Sequence, residues 1–308
     1  MKTEPRRGSR RTGPLMTLKE ALRAGAELLK KHRCAGNDPW RESELFLTAA
    51  AGLSREALIA DPEKKLAPAR ARRFFLMIAR RLCHEPVAYL VGRAPFLGRE
   101  FAVSEATLIP RPATEIIAQE IIRLRADHPR AAFFDIGTGS GCLAITAAAE
   151  TPDWRIGATD ISPAALAIAR RNARAFGLNK KIIFRRGDLL SPFLKTARQA
   201  DTLIIVANLP YIPTAALRRL PPDVRRHEPR TALAGGRDGL ILYYRLLDQL
   251  AAALGPQAHL HLFCEILPGQ YRALAAAAAK KIPGLAAGKI LNWSRVTIGI
   301  HFSRNCRH

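Results

Sequence analysis

Cysteine is scarce in this chain. Cys34, Cys83, Cys142, Cys264 and Cys306 are scattered, form no C-x-x-C pair and show no zinc-like spacing. A disulfide scaffold and a structural metal are both excluded as expectations, and reduced thiols in a cytoplasm fit best. Aromatic residues make up 6% of the chain, too few to interleave with basic residues as a nucleic-acid platform would require. No apolar run approaches the ~20 residues a membrane span needs. The basic N-terminus is not followed by an apolar segment, so no signal peptide is expected. Acidic residues are also few: 26 stand against 49 Lys and Arg, for a net charge of +23. That excess would suit nucleic acid, an anionic surface or an acidic protein partner. The basic pairs Lys30-Lys31, Arg72-Arg73, Arg80-Arg81, Arg170-Arg171 and Arg185-Arg186 are spread along the chain and form no single block. Basic composition on solvated helix faces accounts for the charge as well as a dedicated nucleic-acid surface does.

The hydrophobic fraction is that of a globular protein, 48% over 308 residues, enough for one large or two modest domains. Residues 1–15 carry Lys2, Arg6, Arg7, Arg10 and Arg11 among Pro and Gly, and are expected to be a disordered basic tail. Met16 directly precedes the first helical pattern, so this tail is expected to be dispensable. Leu18, Leu22, Ala26 and Leu29 recur at helical spacing. Asp38-Pro39 predicts a capped helix start, Ser54 a short helix through Ile59, and Pro68 to Leu82 a further helix. Residues 16–85 therefore read as a small all-helical domain. Residues 86–112 read as a β-hairpin linker, with strands at Phe101-Ala102-Val103 and Thr107-Leu108-Ile109. Over residues 113–308, helices and apolar strands alternate in the pattern of a doubly wound α/β sheet. His259-to-Glu265 and Val296-to-Ile300 read as late strands. Alternation puts His259 and His261 on one side of a strand without any metal.

Two stretches carry chemistry. Ala131 to Phe134 is a short apolar run leading into Asp135-Ile136-Gly137-Thr138-Gly139-Ser140-Gly141, and a helical pattern follows from Cys142. Strand, glycine loop and helix form the first unit of a nucleotide-binding α/β fold. A second strand ends at Asp160, about 20 residues on, where a carboxylate accepts hydrogen bonds from ribose hydroxyls. Further along, the apolar run Leu203 to Ala207 ends in Asn208-Leu209-Pro210-Tyr211. A planar –NH2 group offers two donors, so holding it takes two acceptors. The Asn208 side-chain oxygen supplies one. The Leu209 carbonyl can supply the other, because Pro210 biases Leu209 toward an extended conformation. Tyr211 adds a flat face to pack on an amide or a base.

In this order, the glycine loop, Asp160 and Asn208–Tyr211 resemble a class I S-adenosylmethionine (SAM) methyltransferase. Glu85-Pro86-Val87-Ala88-Tyr89-Leu90, Leu108-Ile109-Pro110-Arg111-Pro112-Ala113-Thr114-Glu115, Glu228-Pro229-Arg230-Thr231-Ala232-Leu233 and Gly235-Gly236-Arg237-Asp238-Gly239-Leu240 narrow the resemblance. Together they are similar to the peptide chain release factor glutamine N5-methyltransferase family (HemK/PrmC type), from Met16 to about Phe302. Leu209 stands where that family has a first Pro, and Ala113 where it has an acid.

The resemblance implies a Rossmann-like methyltransferase sheet, a release factor docked by the helical domain, and methyl transfer to the glutamine of its Gly-Gly-Gln tip. It implies cofactor contacts from Asp135, at the ammonium, and from Gly137, Thr138, Gly139, Ser140 and Gly141 beneath the methionine part. Asp160 would hold the ribose, Asp188 and Leu189 would border the adenine, and Asn208 would lie beside the reacting methyl. Asn208, Leu209, Pro210 and Tyr211 would bind the substrate amide, and residues 228–240 would close over the site as a loop. A monomer is expected. Two alternatives remain open on the sequence: an adenine N6-methyltransferase on RNA or DNA, which faces the same –NH2 geometry, and a glutamine methyltransferase of a ribosomal protein.

Overall fold

The computed structural model describes residues 15–32, 38–255 and 258–304. The expected tail, Cys34 and Cys306 lie wholly or almost wholly outside them. The described residues divide into two compact units, one ending at Val91 and the other beginning at Gly92.

The first unit is helical. Helix α1 (Leu18–His32) buries Leu18, Ala21, Ala26 and Leu29 along one stripe. Helix α2 (Pro39–Ala51) starts where Asp38 Oδ1 accepts from the Arg41 N–H at 2.9 Å. Ser54 caps α3 (Arg55–Ala60) in the same way, and α4 (Pro68–Leu82) begins at a proline. Phe46, Leu47, Phe74, Met77 and Ile78 fill the core between them. Val87–Val91, which the sequence reading placed in the linker, forms a short helix α5. Leu90 is buried in this same core with Val87 and Val91 packed against it, and that burial draws the segment into the helical unit.

The second unit opens with a hairpin, β1 (Arg93–Phe96) and β2 (Arg99–Ala102). The hairpin strands are displaced toward the N-terminus from the expected ones. Phe96 and Phe101 point into the core of this unit. The Asn172 side chain grips both polar groups of Ala102, accepting from its N–H at 2.9 Å and donating to its carbonyl at 3.0 Å. Residues 107–109 are not a strand. They lie in a loop bounded by Pro110 and Pro112, and the Ile109 N–H turns to the Glu228 carboxylate instead of to a neighbouring strand.

After α6 (Pro112–Arg123) comes the doubly wound sheet. Strands β3 (Ala132–Ile136), β4 (Arg155–Asp160), β5 (Ile182–Arg186), β6 (Thr202–Ala207) and β7 (His259–Glu265) run parallel in the order β5-β4-β3-β6-β7. Helices α7 (Cys142–Glu150), α8 (Pro163–Ala175), α9 (Leu194–Arg198), α10 (Pro222–His227), α11 (Ile241–Ala253) and α12 (Tyr271–Lys281) connect or cover them. Two antiparallel strands, β8 (Ala286–Leu291) and β9 (Thr297–Arg304), complete seven strands, with β9 inserted between β7 and β8. Alternation along the strands feeds two cores. Phe134, Ile136, Ile205 and Leu262 face α11 and α12, while Phe133, Ile204, Val206 and Phe263 face α6 and α7. The strand order reverses beside β3, between β4 and β6, and that crevice is where open sheets of this kind bind ligands.

Candidate functional site

Strand register builds the site. Ile136, the last residue of β3, sits opposite Thr159 in β4 and Ala207 in β6. Ala207 in turn sits opposite Cys264 in β7. Gly137, Asp160, Asn208 and Glu265 therefore leave the carboxyl edge of the sheet at one level. A cavity opens there, lined by Gly137, Thr138, Gly139, Ser140, Asp160, Asp188, Leu189, Asn208, Leu209 and Pro210. Its walls also include Ala106–Pro110, Ile161, Pro229, Thr231, Ala232, Leu242 and Arg245. Asp135, Gly141 and Tyr211 are not among its lining residues.

The glycine loop has the shape of a cradle. Gly137 and Gly139 take φ of +75° and +55°, in the left-handed region. A Cβ at Gly137 would come within 3.1 Å of the Leu209 side chain, and one at Gly139 would meet no atom nearer than 4.0 Å, projecting into open space. Asp160 ties the loop to the next helix. Its Oδ2 accepts from the Gly139 N–H at 2.9 Å and its Oδ1 from the Ser162 N–H at 2.8 Å. Each oxygen keeps a lone pair for a hydroxyl, and burial raises the acid's pKa.

Asp135 lies beneath the loop, outside the residues that line the cavity. It is 1% exposed, and its Oδ2 accepts from Thr138 Oγ1 at 2.6 Å and from the Ala144 N–H at 3.2 Å. Burial pushes its pKa from 3.8 up to about 7. A carboxyl with a raised folded pKa stabilises the fold fully below its unfolded pKa, and that contribution is lost as pH rises through the folded value. An amide oxygen in its place could accept both hydrogen bonds without ever ionising. Relative to wild type, Asp135→Asn should gain stability as pH rises from about 4 through about 7. Denaturant midpoints at pH 5 and pH 8 check this; a difference that stays constant or moves the other way contradicts it.

The far end of the cavity is walled by Ile161, Asp188, Leu189 and Arg245. Leu189 holds a φ of +52°, a conformation that costs a bulky residue roughly 1–3 kcal/mol. The Gln249 side chain holds that turn, accepting from the Leu190 N–H at 2.8 Å, and Arg245 pairs with the Asp188 carboxylate. Ile161 follows Asp160 directly and is 65% exposed at the cavity wall. The sequence reading missed it, although an apolar residue just past a strand-ending acid was a usable signal.

At the near end, Asn208 Nδ2 donates to Glu265 Oε2 at 3.0 Å and to Thr114 Oγ1 at 3.1 Å. Thr114 Oγ1 donates to Glu265 Oε2 at 2.6 Å, and the Tyr211 hydroxyl donates to Glu265 Oε1 at 2.9 Å. Burial pushes the Tyr211 pKa upward, so the hydroxyl stays a donor. Tyr211 is thus fixed by its hydroxyl, a role beyond the packing face expected of it. Tyr243, also missed from sequence, is buried behind the turn. Its hydroxyl accepts from the Leu209 N–H at 3.2 Å and lies 2.5 Å from the Glu265 carbonyl and 3.4 Å from the Leu209 carbonyl. One hydroxyl has one proton, and the shortest contact takes it, so the Leu209 carbonyl keeps its acceptor capacity.

Two loops bound the cavity. Arg111 pairs with the buried Glu228, which also accepts from the Ile109 N–H at 3.4 Å. This joins the 106–110 loop to the segment carrying Pro229, Thr231 and Ala232. The Ile212 N–H donates to the Leu233 carbonyl at 3.1 Å, and the Gly235 N–H donates to the Ile212 carbonyl at 2.9 Å, which binds the 228–240 segment to the residues just past Tyr211.

Away from this edge, His261 shares ring-nitrogen contacts of 3.0 Å with His301 and 2.9 Å with His128. These are hydrogen-bond lengths. Among the described residues no group of three His, Cys, Asp or Glu is arranged to hold a metal ion.

Comparison with known proteins adds an independent line. Residues 20–92 match the PrmC N-terminal domain and residues 133–227 a methyltransferase domain. The chain is 43% identical to the release factor glutamine methyltransferase of Moorella thermoacetica over 242 residues, 78% of this chain and 83% of that protein. It is 40% identical to the protein of the same name from Geobacter sulfurreducens over 215 residues, 70% of this chain and 73% of that one. Among solved structures, the hMettl16 catalytic domain in complex with the MAT2A 3'UTR hairpin 6 aligns with a TM-score of 0.51 at 16% identity, over 78% of this chain and 82% of that one. That likeness is one of fold.

Proposed function

The chain belongs to the release factor glutamine methyltransferase family, and from that membership we propose how its own residues carry the reaction. The enzyme transfers a methyl group from SAM to the side-chain amide nitrogen of a glutamine in a peptide chain release factor. We assign that glutamine to the Gly-Gly-Gln tip. The observation that supports the assignment of residues is the inward lock on the Asn208 amide nitrogen, which turns the side-chain oxygen outward as an acceptor.

The cavity suits the cofactor. Its glycine cradle has room above Gly139, Asp160 is an acceptor for ribose hydroxyls, and Ile161, Leu189 and Leu242 offer apolar faces for a base. When bound, SAM supplies a methyl group on a positively charged sulfur. The chain's residues do the rest by alignment. An amide nitrogen is a poor nucleophile because its lone pair is delocalised into the carbonyl. Asn208 Oδ1 and the Leu209 carbonyl accept the two N–H groups of the glutamine and so fix the direction of that lone pair. They also accept from the nitrogen's N–H groups as positive charge grows on it, and one of those protons is lost to solvent once an N–CH3 bond has replaced the S–CH3 bond. Alignment of this kind can remove ~7–11 kcal/mol of barrier. The Leu209 carbonyl belongs to the backbone, so replacing the family's Pro there keeps the acceptor.

The helical unit ending at Val91 would dock the release factor away from its tip. No helix among the described residues is long and apolar enough to cross a membrane. A cytoplasmic monomer is the form in which we expect the enzyme to act. Incubation of an intact release factor with enzyme and SAM, followed by peptide mass spectrometry, tests the assignment. The modification should vanish when the Gly-Gly-Gln glutamine is replaced by alanine.

A further inference from the structure

We propose that Glu265 is the positioning residue of the transfer site, the group that decides which end of the Asn208 amide the substrate meets. The inference rests on the substrate reading above and extends it to a residue outside the Asn208–Tyr211 motif.

An Asn side chain has an acceptor end and a donor end of nearly equal size. A substrate –NH2 is held only by the acceptor end. If the amide turned over, donor would face donor and the grip would be lost. Something must therefore fix the sense of the amide, and the turn itself does not. Glu265 does so through Oε2, which already receives the Thr114 hydroxyl and so meets Asn208 only as an acceptor. It is 3% exposed, has no salt-bridge partner among the described residues, and receives three donors, from Asn208, Thr114 and Tyr211. Asn208 Nδ2 faces both Glu265 Oε2 and Thr114 Oγ1, which lie only 2.6 Å apart, so one N–H is shared between them and the amide nitrogen is drawn inward. Among the described residues no protein donor is paired with Asn208 Oδ1, the atom left for the cavity. A buried carboxyl, its pKa raised by burial, is a costly way merely to fill space. Here it enforces a direction that an apolar side chain could not.

The same register that makes the contact explains its reach. Cys264 faces Ala207 across the β6–β7 ladder, so the residues that follow them meet as the strands end. Thr114, near the start of α6, closes the triangle from the side, and the Tyr211 hydroxyl closes it from the end of the turn.

The test is a reversal of sign. Glu265→Met removes the acceptor at similar size, and kcat for methyl transfer to the release factor should fall about 100-fold, with KM and SAM affinity within about threefold of wild type. Glu265→Gln keeps an acceptor, because its Oε1 can replace Oε2 while the Tyr211 hydroxyl reverses to accept from Nε2. It should stay within about tenfold of wild type. Asn208→Asp alone should be strongly harmful, since it sets two carboxylates against each other. In the Glu265→Met background the same change should help by about tenfold or more, because both ends of the introduced carboxylate are acceptors and no orientation is needed. A role confined to stability would make the two changes add.

Near-wild-type kcat in Glu265→Met, or a further loss on adding Asn208→Asp, overturns the proposal. If Glu265→Met does not bind SAM, the decision passes to Asn208→Asp/Glu265→Gln. There the amide introduced at position 265 can donate to the carboxylate introduced at position 208. Activity should recover about tenfold over Asn208→Asp, and no recovery overturns the proposal. A wild-type enzyme that leaves the release factor unmodified fails the substrate reading instead, which separates the two failures.

Discussion

Asn208→Ala should lower kcat for methyl transfer by about 10³-fold while leaving SAM affinity and the fold near wild type, by analogy with the 10²–10³-fold loss on deleting one preorganised hydrogen-bonding group. The residue lies on the turn that ends β6 and is half-buried, so its truncation opens no core cavity. What disappears is one of the two acceptors proposed to hold the glutamine N–H groups. Glu265 and Thr114 lose a donor but keep each other at 2.6 Å, and Tyr211 still donates to Glu265 at 2.9 Å. Single-turnover kinetics with saturating SAM isolate the transfer step. Near-normal turnover would show that a two-acceptor grip is not how the amide is held.

Gly239→Ala should have the largest effect on stability. Gly239 has a φ of +82°, and a Cβ there would lie 2.1 Å from the Tyr211 carbonyl oxygen and 2.3 Å from Gln270 Nε2. Those two atoms are hydrogen-bonded to each other at 2.8 Å, and Gln270 Nε2 also donates to the Asp238 carbonyl at 2.9 Å. The new methyl would wedge that bridge open. Left-handed strain of roughly 1–2 kcal/mol and overpacking of roughly 1–3 kcal/mol together predict a loss of about 2–5 kcal/mol. Because Tyr211 must move, kcat should fall as well. Urea unfolding measures the first effect, and a loss under about 0.5 kcal/mol, the range of an inert surface change, would contradict the assignment.

Motifs that act through local chemistry were legible in the sequence. The glycine loop, Asp160 and the Asn208 turn each announce themselves by residue type at the end of an apolar run. Asp38-Pro39 and Ser54 mark helix starts because their caps are satisfied within three residues. What sequence could not show is what register decides. Glu265 reads as an acid ending a strand, and only the pairing of Ala207 with Cys264 brings it to Asn208. Tyr243 reads as one apolar position of a helix, yet its hydroxyl closes the turn from behind. Strand β8 is an exposed edge in which Ala286, Ala287, Ile290 and Leu291 do not alternate with polar residues, so it gave no strand pattern. Residues 107–109 gave a strand-like pattern, but Leu108 and Ile109 are apolar where they wall a cavity. Asp135 carries a contact that its place beside a glycine loop did not announce: it is buried and anchors the loop through Thr138 and the Ala144 N–H.

The proposed grip of Asn208–Tyr211 on a protein glutamine stands or falls with mass spectrometry of an intact release factor incubated with enzyme and SAM beside an RNA of equal concentration. One added methyl is expected on the glutamine of Gly-Gly-Gln, absent from the glutamine-to-alanine release factor. Methylated adenine in the RNA, with the release factor left unmodified, would contradict it.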